Sequence, residues 1–284
     1  MKIDKNHIDF ENEFFTKKSI QYSKSKEDVW LEMESKLNEN QNGKVLKVNF
    51  ITYLKYGIAA VLIIGLGLVS FMRFYSQNIY CPNGQHSIVY LPDGSKVTLN
   101  ANSSIVYNPY WWKFSRKLDF SGEAFFEVKK GKKFEVISEI GTTAVLGTSF
   151  NIYSRKDEYR VYCISGKVKV KTLKNESMVL EKNDYTVVNQ LDKLIKKEVE
   201  NNNQNAIAWI NNEFVFTSVP LILIYEEIER QFDIVIEGKE NLTGISSFNS
   251  KRGSSPEEII NLAGKPFGIK CIKVSDKKFI VEQN

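Results

Sequence analysis

Histidine and cysteine are scarce in this chain of 284 residues, and their scarcity limits the chemistry it can perform. The histidines are His7 and His86, so a Ser-His-Asp or Cys-His mechanism in the C-terminal part would depend on His86 alone. The three cysteines include no C-x-x-C pair, so zinc is not indicated, and their odd number prevents complete pairing. We interpret them as apolar strand residues in preference to a structural disulfide: Cys81, Cys163 and Cys271.

A large excess of either charge is also missing. The net charge is +5 and is spread along the chain, without the basic stripe that nucleic-acid binding requires, so no direct nucleic-acid partner is expected. Glu123 and Glu127 lie four residues apart in a predicted strand, which separates them by ~13 Å, too far for a glycosidase pair. We interpret both as solvated or hydrogen-bonded, and we expect no cofactor, no metal and no enzymatic activity.

The chain does contain one long uncharged run, from Gly57 to Met72. Sixteen helical residues cover ~24 Å, and extending the helix to residues 53–75 takes it past the ~30 Å hydrocarbon core of a membrane. Lys55 and Arg73 lie near the two ends, where long side chains reach the headgroups. The sequence therefore predicts one transmembrane helix over 53–75.

The distribution of basic residues predicts the orientation of this helix. Three lysines lie before or at its start: Lys44, Lys47 and Lys55. After Arg73 no Lys or Arg occurs until Lys96. The positive-inside rule therefore places residues 1–52 in the cytoplasm and the chain after residue 75 on the other side.

Residues 1–52 carry two short amphipathic patterns. The first places Phe10 and Phe14 on one helical stripe, and the second starts at a capping box formed by Ser25 and Asp28. The apolar stripe of the second pattern includes three large side chains: Trp30, Met33 and Leu37. Because so short a segment cannot bury a core of its own, we expect the five apolar residues to bind a partner protein. A disordered tail with incidental helicity is the alternative.

Residues 76–200 have the pattern of a mainly-β domain. Two strands flank the turn Pro92-Asp93-Gly94, and residues 167–171 alternate strictly between lysine and valine. Many short strands indicate a sandwich, a barrel or a solenoid, and periodicity does not choose among them. An aromatic cluster follows the second hairpin and forms either a core under a long loop or a docking or carbohydrate platform: Tyr107, Tyr110, Trp111, Trp112 and Phe114.

Residues 205–284 predict a small α+β domain. Strands at 214–216 and 234–236 flank a helix that we expect Ser218 to cap. Ser255-Pro256-Glu257-Glu258 predicts the capping box of a second helix, with Gly264 as its C-cap. Two further strands close the domain.

Four motifs in this order resemble the FecR-like anti-sigma factors. They are LPDGSKVTLNANSS at 91–104, SGEAFFEV at 121–128, VLGTSFNI at 145–152 and ISGKV at 164–168. The pattern from Trp209 to Ile234 is similar to the C-terminal domain of the same family, which resembles the secretin/TonB N-terminal signalling module. The resemblance covers most of residues 85–284.

The resemblance implies a transmembrane regulator of an extracytoplasmic-function sigma factor in the bacterial inner membrane. Residues 1–52 would be a short α-helical cytoplasmic segment that binds the sigma factor. After the transmembrane helix, residues 76–200 would form a mainly-β periplasmic domain, solenoid- or sandwich-like, and residues 205–284 a small α+β domain. The periplasmic part would receive its signal from the signalling domain of a TonB-dependent outer-membrane transporter. The resemblance does not identify the sigma factor, the transporter or its cargo.

The resemblance also implies a candidate self-cleavage bond between Gly147 and Thr148, because some FecR-like proteins break at a Gly-Thr bond in this motif. The Thr148 hydroxyl could attack the preceding carbonyl without a protease. An ordinary bulge at Gly147 and strand residue at Thr148 is the alternative.

A different class of function remains open at this point: an anchored envelope protein that binds glycan through the aromatic cluster. The two classes differ in the N-terminal segment, because an adhesin needs only a short basic anchor and no apolar helical stripes.

Overall fold

The structure is a computed structural model that describes residues 23–40, 49–156, 158–188, 194–198 and 205–283. Of residues 194–198 only the backbone is described. Contacts divide the chain into two units, residues 1–62 and 63–284. Phe10 and Phe14 lie outside the described residues.

Helix α1 spans Lys26–Asn40 and begins at the predicted capping box. The Asp28 amide donates to Ser25 Oγ over 3.1 Å, and the Ser25 amide donates to Asp28 Oδ2 over 3.2 Å. Helix α2 spans Phe50–Phe74. It starts three residues before the start of the predicted span and ends one residue before the end of that span. Its 25 residues have a mean hydropathy of 2.1 over the most apolar window, and it is the one helix among the described residues long and apolar enough to cross a membrane.

Among the residues that the structure describes, thirteen strands between α2 and the C-terminal part form one extensively bent sheet. Their bounds are β1 Gln77–Cys81, β2 Ser87–Tyr90, β3 Lys96–Leu99, β4 Ser103–Tyr107, β5 Arg116–Glu127, β6 Phe134–Ile137, β7 Gly141–Val145, β8 Ser149–Arg155, β9 Glu158–Ser165, β10 Val168–Thr172, β11 Ser177–Leu180, β12 Asp184–Val188 and β13 Leu194–Glu198. The Pro92-Asp93-Gly94 turn joins β2 and β3, as predicted.

The long strand β5 belongs to both halves of this sheet. Its first half pairs with β4 and with β6, to which it is parallel, and its second half pairs with β3 and β8. The change occurs at Gly122, whose φ is +108°. A Cβ there would lie 2.3 Å from Ser103 Oγ, so the predicted SGEAFFEV motif contains glycine where the backbone turns between the halves.

A single apolar core lies between the two halves. Leu118, Phe134 and Val136 reach it from one half, and Phe150 and Ile152 from the other. Each large side chain fully buried there contributes ~1.5–3 kcal/mol. The prediction of a mainly-β domain is confirmed, and the two halves of one bent sheet enclose its core.

The C-terminal part contains two helices and two small sheets. After a 3-10 helix at Asn205–Asn211 come β14 Glu213–Pro220, α3 Leu221–Phe232, β15 Val235–Glu237, β16 Ile245–Lys251, α4 Pro256–Gly264, β17 Ile269–Ser275 and β18 Lys278–Gln283. Strand β14 pairs with β16, and β18 lies between β15 and β17. A second apolar core, separate from the first, lies around the inward face of α3.

Two predicted helix caps in this part are wrong. Ser218 lies within β14 at φ +53°, and Pro220 occupies the N-cap position of α3. Gly264 is the last residue of α4 rather than its C-cap. A 3-10 turn follows α4, and Gly268, at φ +67°, is the C-cap of that turn. Gly264 is needed for close packing instead, because a Cβ there would lie 2.7 Å from Tyr225 Oη. The Ser255 capping box is confirmed.

Candidate functional sites

Helix α1 presents a stripe of large apolar side chains to solvent. Trp30, Met33 and Leu37 are 69%, 56% and 65% exposed within the described residues. At about 100° per residue these three and Val29 fall within an arc of about 100° on the helix. Leu31 is also exposed but lies outside this arc. The stripe has the dimensions of a helical docking face.

The Gly147–Thr148 bond lies between β7 and β8, and its glycine cannot be replaced without strain. Gly147 has φ +152°, and a Cβ there would lie 2.6 Å from the Cα of Lys130. The carbonyls on both sides of the bond accept backbone hydrogen bonds: Gly131 N–H donates to Leu146 O over 2.8 Å, and Val128 N–H donates to Thr148 O over 2.9 Å. The backbone around the bond is therefore held in place.

The Thr148 side chain is buried, and its hydroxyl makes no hydrogen bond within the described part of the chain. Thr148 is 6% exposed, and Oγ1 has no hydrogen-bond partner among the described residues. Gly166 makes room for its methyl group, because a Cβ at Gly166 would lie 2.6 Å from Thr148 Cγ2. A buried hydroxyl without a hydrogen-bond partner is uncommon in proteins, so Thr148 is a candidate for a chemical or structural role.

The nearby Cys163 does not supply a base for this hydroxyl. Cys163 pairs with Phe150 across β8 and β9, and its Sγ approaches the Gly166 carbonyl at 3.5 Å. Burial raises the pKa of the Cys163 thiol to about 11, so it is protonated at neutral pH.

A polar joint connects the β domain with the C-terminal part. The Gln231 side chain, 3% exposed, donates from Nε2 to Asn100 Oδ1 over 2.6 Å and to Glu227 Oε1 over 2.7 Å. Its Oε1 accepts from His86 Nε2 over 3.1 Å. A backbone hydrogen bond of 2.8 Å from Gly84 N–H to Arg230 O also crosses the joint. The joint is therefore built from hydrogen bonds, not from shared apolar core.

Glu123 and His86 both serve this joint. The Glu123 carboxylate accepts from Asn100 Nδ2 over 2.8 Å and from Asn151 Nδ2 over 3.0 Å, which agrees with the interpretation of Glu123 as hydrogen-bonded. Burial, and then the neighbouring Glu227 carboxylate, raise the pKa of Glu123 above its usual value. Burial, together with Arg252, lowers the pKa of His86, so its imidazole is neutral at pH 7. Nothing in the sequence marks Gln231 except its place on the apolar side of a helical pattern.

A buried ion pair fixes the turn between β2 and β3. The Arg116 side chain is 9% exposed and its guanidinium hydrogen-bonds the carboxylate of Asp93, which is 18% exposed. Arg116 also donates from Nη1 to Lys132 O over 2.7 Å and from Nη2 to Lys129 O over 3.0 Å. The pair joins the predicted LPDGS turn to the start of β5.

The structure divides the predicted aromatic cluster in two. Tyr107 and Trp112 are buried in the core with their rings 5.6 Å apart, which fits the interpretation as packing. Tyr110 and Phe114 are exposed and lie in the loop between β4 and β5 with Trp111. Among the described residues, no group of three or more His, Cys, Asp or Glu side chains is placed to hold a metal ion.

The fold and these sites describe a class of protein: a mainly-β domain and a small C-terminal unit that follow a membrane-length helix. Residues 77–169 match the family model described as FecR protein, so this part of the chain is a FecR domain. The resemblance to the FecR-like anti-sigma factors that the four motifs predicted is confirmed.

Two solved structures are similar to this chain over most of its length. Both are crystal structures of a candidate anti-sigma factor from Parabacteroides distasonis, at 2.50 Å and 1.65 Å resolution. Each is 26% identical to this chain with a TM-score of 0.66. The first alignment covers 74% of this chain and 100% of the other, and the second covers 73% and 99%. No curated protein matches this chain.

Proposed function

We propose that this chain is a single-pass inner-membrane regulator whose cytoplasmic residues 1–52 bind an extracytoplasmic-function sigma factor. The observation that carries the proposal is the exposed stripe of α1, because it precedes a membrane-length helix while the FecR domain follows that helix. A protein crossing the membrane once at α2 has these two parts on opposite sides. The positive-inside rule supports a cytoplasmic N-terminus.

The sigma factor would cover the stripe of α1 together with Phe10 and Phe14. Burying each large apolar side chain is worth ~1.5–3 kcal/mol. Loss of two such side chains should therefore weaken the complex by roughly a hundredfold or more.

A transcription reporter driven by the sigma factor tests this proposal in cells. The full chain carrying Trp30→Ala with Leu37→Ala is compared with the full chain and with Glu34→Gln, which alters an exposed polar residue on the same helix. We expect the double variant to change reporter output without an external signal and Glu34→Gln to leave it unchanged. Equal output from all three membrane-inserted proteins would contradict the proposal.

The external partner we propose is the signalling domain of a TonB-dependent outer-membrane transporter, bound by the C-terminal unit. Within the described residues, β14 pairs with β16 alone and β17 pairs with β18 alone, so each has one edge available for strand addition. Main-chain hydrogen bonds at such an edge would supply affinity without an enzymatic step.

We further propose that the Gly147–Thr148 bond breaks without a protease. The Thr148 oxygen attacks the Gly147 carbonyl carbon, the C–N bond breaks, and the hydroxyl proton passes to the leaving nitrogen. The resulting ester is hydrolysed by water, which leaves a carboxylate on Gly147 and restores the hydroxyl on Thr148. The unpartnered Oγ1 and the held backbone at Gly147 favour this reaction over an ordinary bulge.

Purified full chain, incubated without proteases, tests the cleavage. We expect two fragments with a new N-terminus at Thr148, slower or equal cleavage in Thr148→Ser, and none in Thr148→Ala. The serine variant is the matched control because it keeps the hydroxyl and removes only the methyl group that faces Gly166. A wild-type chain that remains intact would contradict the proposal.

A further inference from the structure

The loop at residues 108–115, between β4 and β5, exposes large aromatic side chains that no core requires. Phe114 is 71% exposed and Tyr110 is 48% exposed. Trp111 is half-buried against Phe114, with ring centroids 4.7 Å apart, and the charged Lys113 lies between them in sequence and is exposed. Exposed aromatic residues grouped in this way mark an interaction surface.

This aromatic loop is attached to the end of α2. Asn108 donates from Nδ2 to the carbonyl of Met72 over 3.0 Å and to that of Arg73 over 2.6 Å, which satisfies carbonyls that the helix end leaves open. Neighbouring aromatic rings extend the attachment. The Tyr110 ring lies 5.9 Å from that of Phe71 and 5.2 Å from that of Tyr75, and the Arg73 guanidinium lies 5.5 Å from the Trp111 ring. The loop is therefore fixed at the level where the apolar helix stops.

The end of a membrane-crossing helix lies in the headgroup layer, and this is the environment that tyrosine and tryptophan prefer at both membrane surfaces. We propose that residues 108–115 are seated in the lipid headgroup layer of the membrane that α2 crosses, with Tyr110, Trp111 and Phe114 as interfacial anchors. The partner of this surface is the lipid interface, and continuity with α2 is the observation that selects it.

The charge at the loop fits the same partner. Lys113 is a flexible cation that can reach lipid phosphates while its stem follows the apolar layer, and Arg73 occupies the equivalent place on α2. The anchors would hold the FecR domain against the membrane surface at a second point besides α2. The domain would then have a fixed orientation rather than rotate freely on a tether.

The inference rests on the proposed membrane crossing by α2, although not on which side the domain faces. The test uses the full chain in nanodiscs of phosphatidylcholine, with and without bromine on the upper part of the acyl chains. Bromine quenches tryptophan emission only at short range. Phe114→Trp adds a tryptophan at the loop, and Tyr90→Trp adds one at a side chain of nearly equal exposure, 70%, on β2. Each substitution exchanges one exposed aromatic ring for another, so neither threatens the fold.

We expect brominated lipid to remove most of the emission added at position 114 and little of that added at position 90. Emission at position 114 that survives bromination as well as emission at position 90 would overturn the inference and make the loop a surface for a protein or glycan partner. A chain recovered outside the nanodiscs would overturn the membrane crossing itself and this inference with it. The two failures are thus distinguishable.

Discussion

Removing the carboxylate of Asp93 should destabilise the FecR domain strongly, because it leaves the buried Arg116 guanidinium without its counter-charge. Asp93→Ala retains only neutral acceptors around Arg116, among them the carbonyls of Lys129 and Lys132. Breaking one partner of a fully buried ion pair costs about 3–5 kcal/mol. Because 18% of the Asp93 side chain reaches solvent, we expect a smaller loss of unfolding free energy, about 2–4 kcal/mol.

Thermal unfolding of the full chain in detergent micelles, followed by tryptophan fluorescence, measures this loss. Trp112 is 2% exposed and lies 5.7 Å from Phe134, over which the Arg116 guanidinium stacks at 5.3 Å. For a domain of this size a loss of 1 kcal/mol lowers Tm by about 2–4 °C, so Asp93→Ala should lower it by about 5–15 °C. The control is Asp119→Ala, which removes an exposed carboxylate from the same strand as Arg116. A shift for Asp93→Ala no larger than that of the control would refute the reasoning.

The pH dependence of the difference supplies a second check with a definite sign. Burial alone would raise the pKa of Asp93, but the Ser95 amide and the Arg116 guanidinium outweigh it and hold this pKa below its usual value. Because the pKa of Asp93 is lower in the folded state, its ionised carboxylate stabilises the fold fully above the unfolded-state pKa, about 3.9. This stabilisation is lost as the pH falls through the folded-state pKa. The Tm difference between wild type and Asp93→Ala should be constant near neutrality and shrink only in acid. A difference that shrinks between neutral and mildly acidic pH would exclude Asp93 as its source.

Three further outcomes are expected. A phosphatase reporter fused after Asn189 should be active and one fused after Asn40 silent, because the lysines lie on the N-terminal side of α2, and the reverse pattern would contradict the orientation. Deleting residues 205–284 should abolish the response to an external signal without preventing membrane insertion, and normal induction would exclude this unit as the receiver. Gln231→Met should accelerate hydrogen exchange of the Gly84 amide by roughly tenfold, because the two side-chain hydrogen bonds from Gln231 across the joint, to Asn100 and to His86, are lost. Unchanged exchange would show that Gln231 does not hold the joint.

Features set by neighbouring residues could be predicted from the sequence. Helix α2 follows from a long uncharged run which, extended to residues 53–75, exceeds the thickness of a membrane core, and strand β10 follows from strict alternation of lysine and valine. The Ser25 and Ser255 capping boxes follow from side chains that satisfy amides three residues away. The prediction of Ser218 as the cap is wrong because the N-cap position is occupied by Pro220, two residues further on.

Features set by distant residues could not be predicted. Gln231 and Asn100 are 131 positions apart, and nothing local marks either as a partner of the other. Strand β5 belongs to both halves of the sheet because of the order in which the strands pair. The alternation of apolar and polar residues along a strand does not encode this order. The sequence identified Gly147 and Thr148 only through a family motif. That the Thr148 hydroxyl has no hydrogen-bond partner among the described residues is visible only in the folded structure.

Direct binding to a sigma factor tests the central claim most directly. The full chain in micelles is immobilised and each extracytoplasmic-function sigma factor of the same organism is titrated in turn, first against wild type and then against Phe14→Ala with Trp30→Ala. The account predicts that one sigma factor binds wild type saturably and binds the double variant roughly a hundredfold or more weakly, since two large apolar contacts are lost. Failure of every sigma factor to bind wild type, or equal affinity for both proteins, would contradict it.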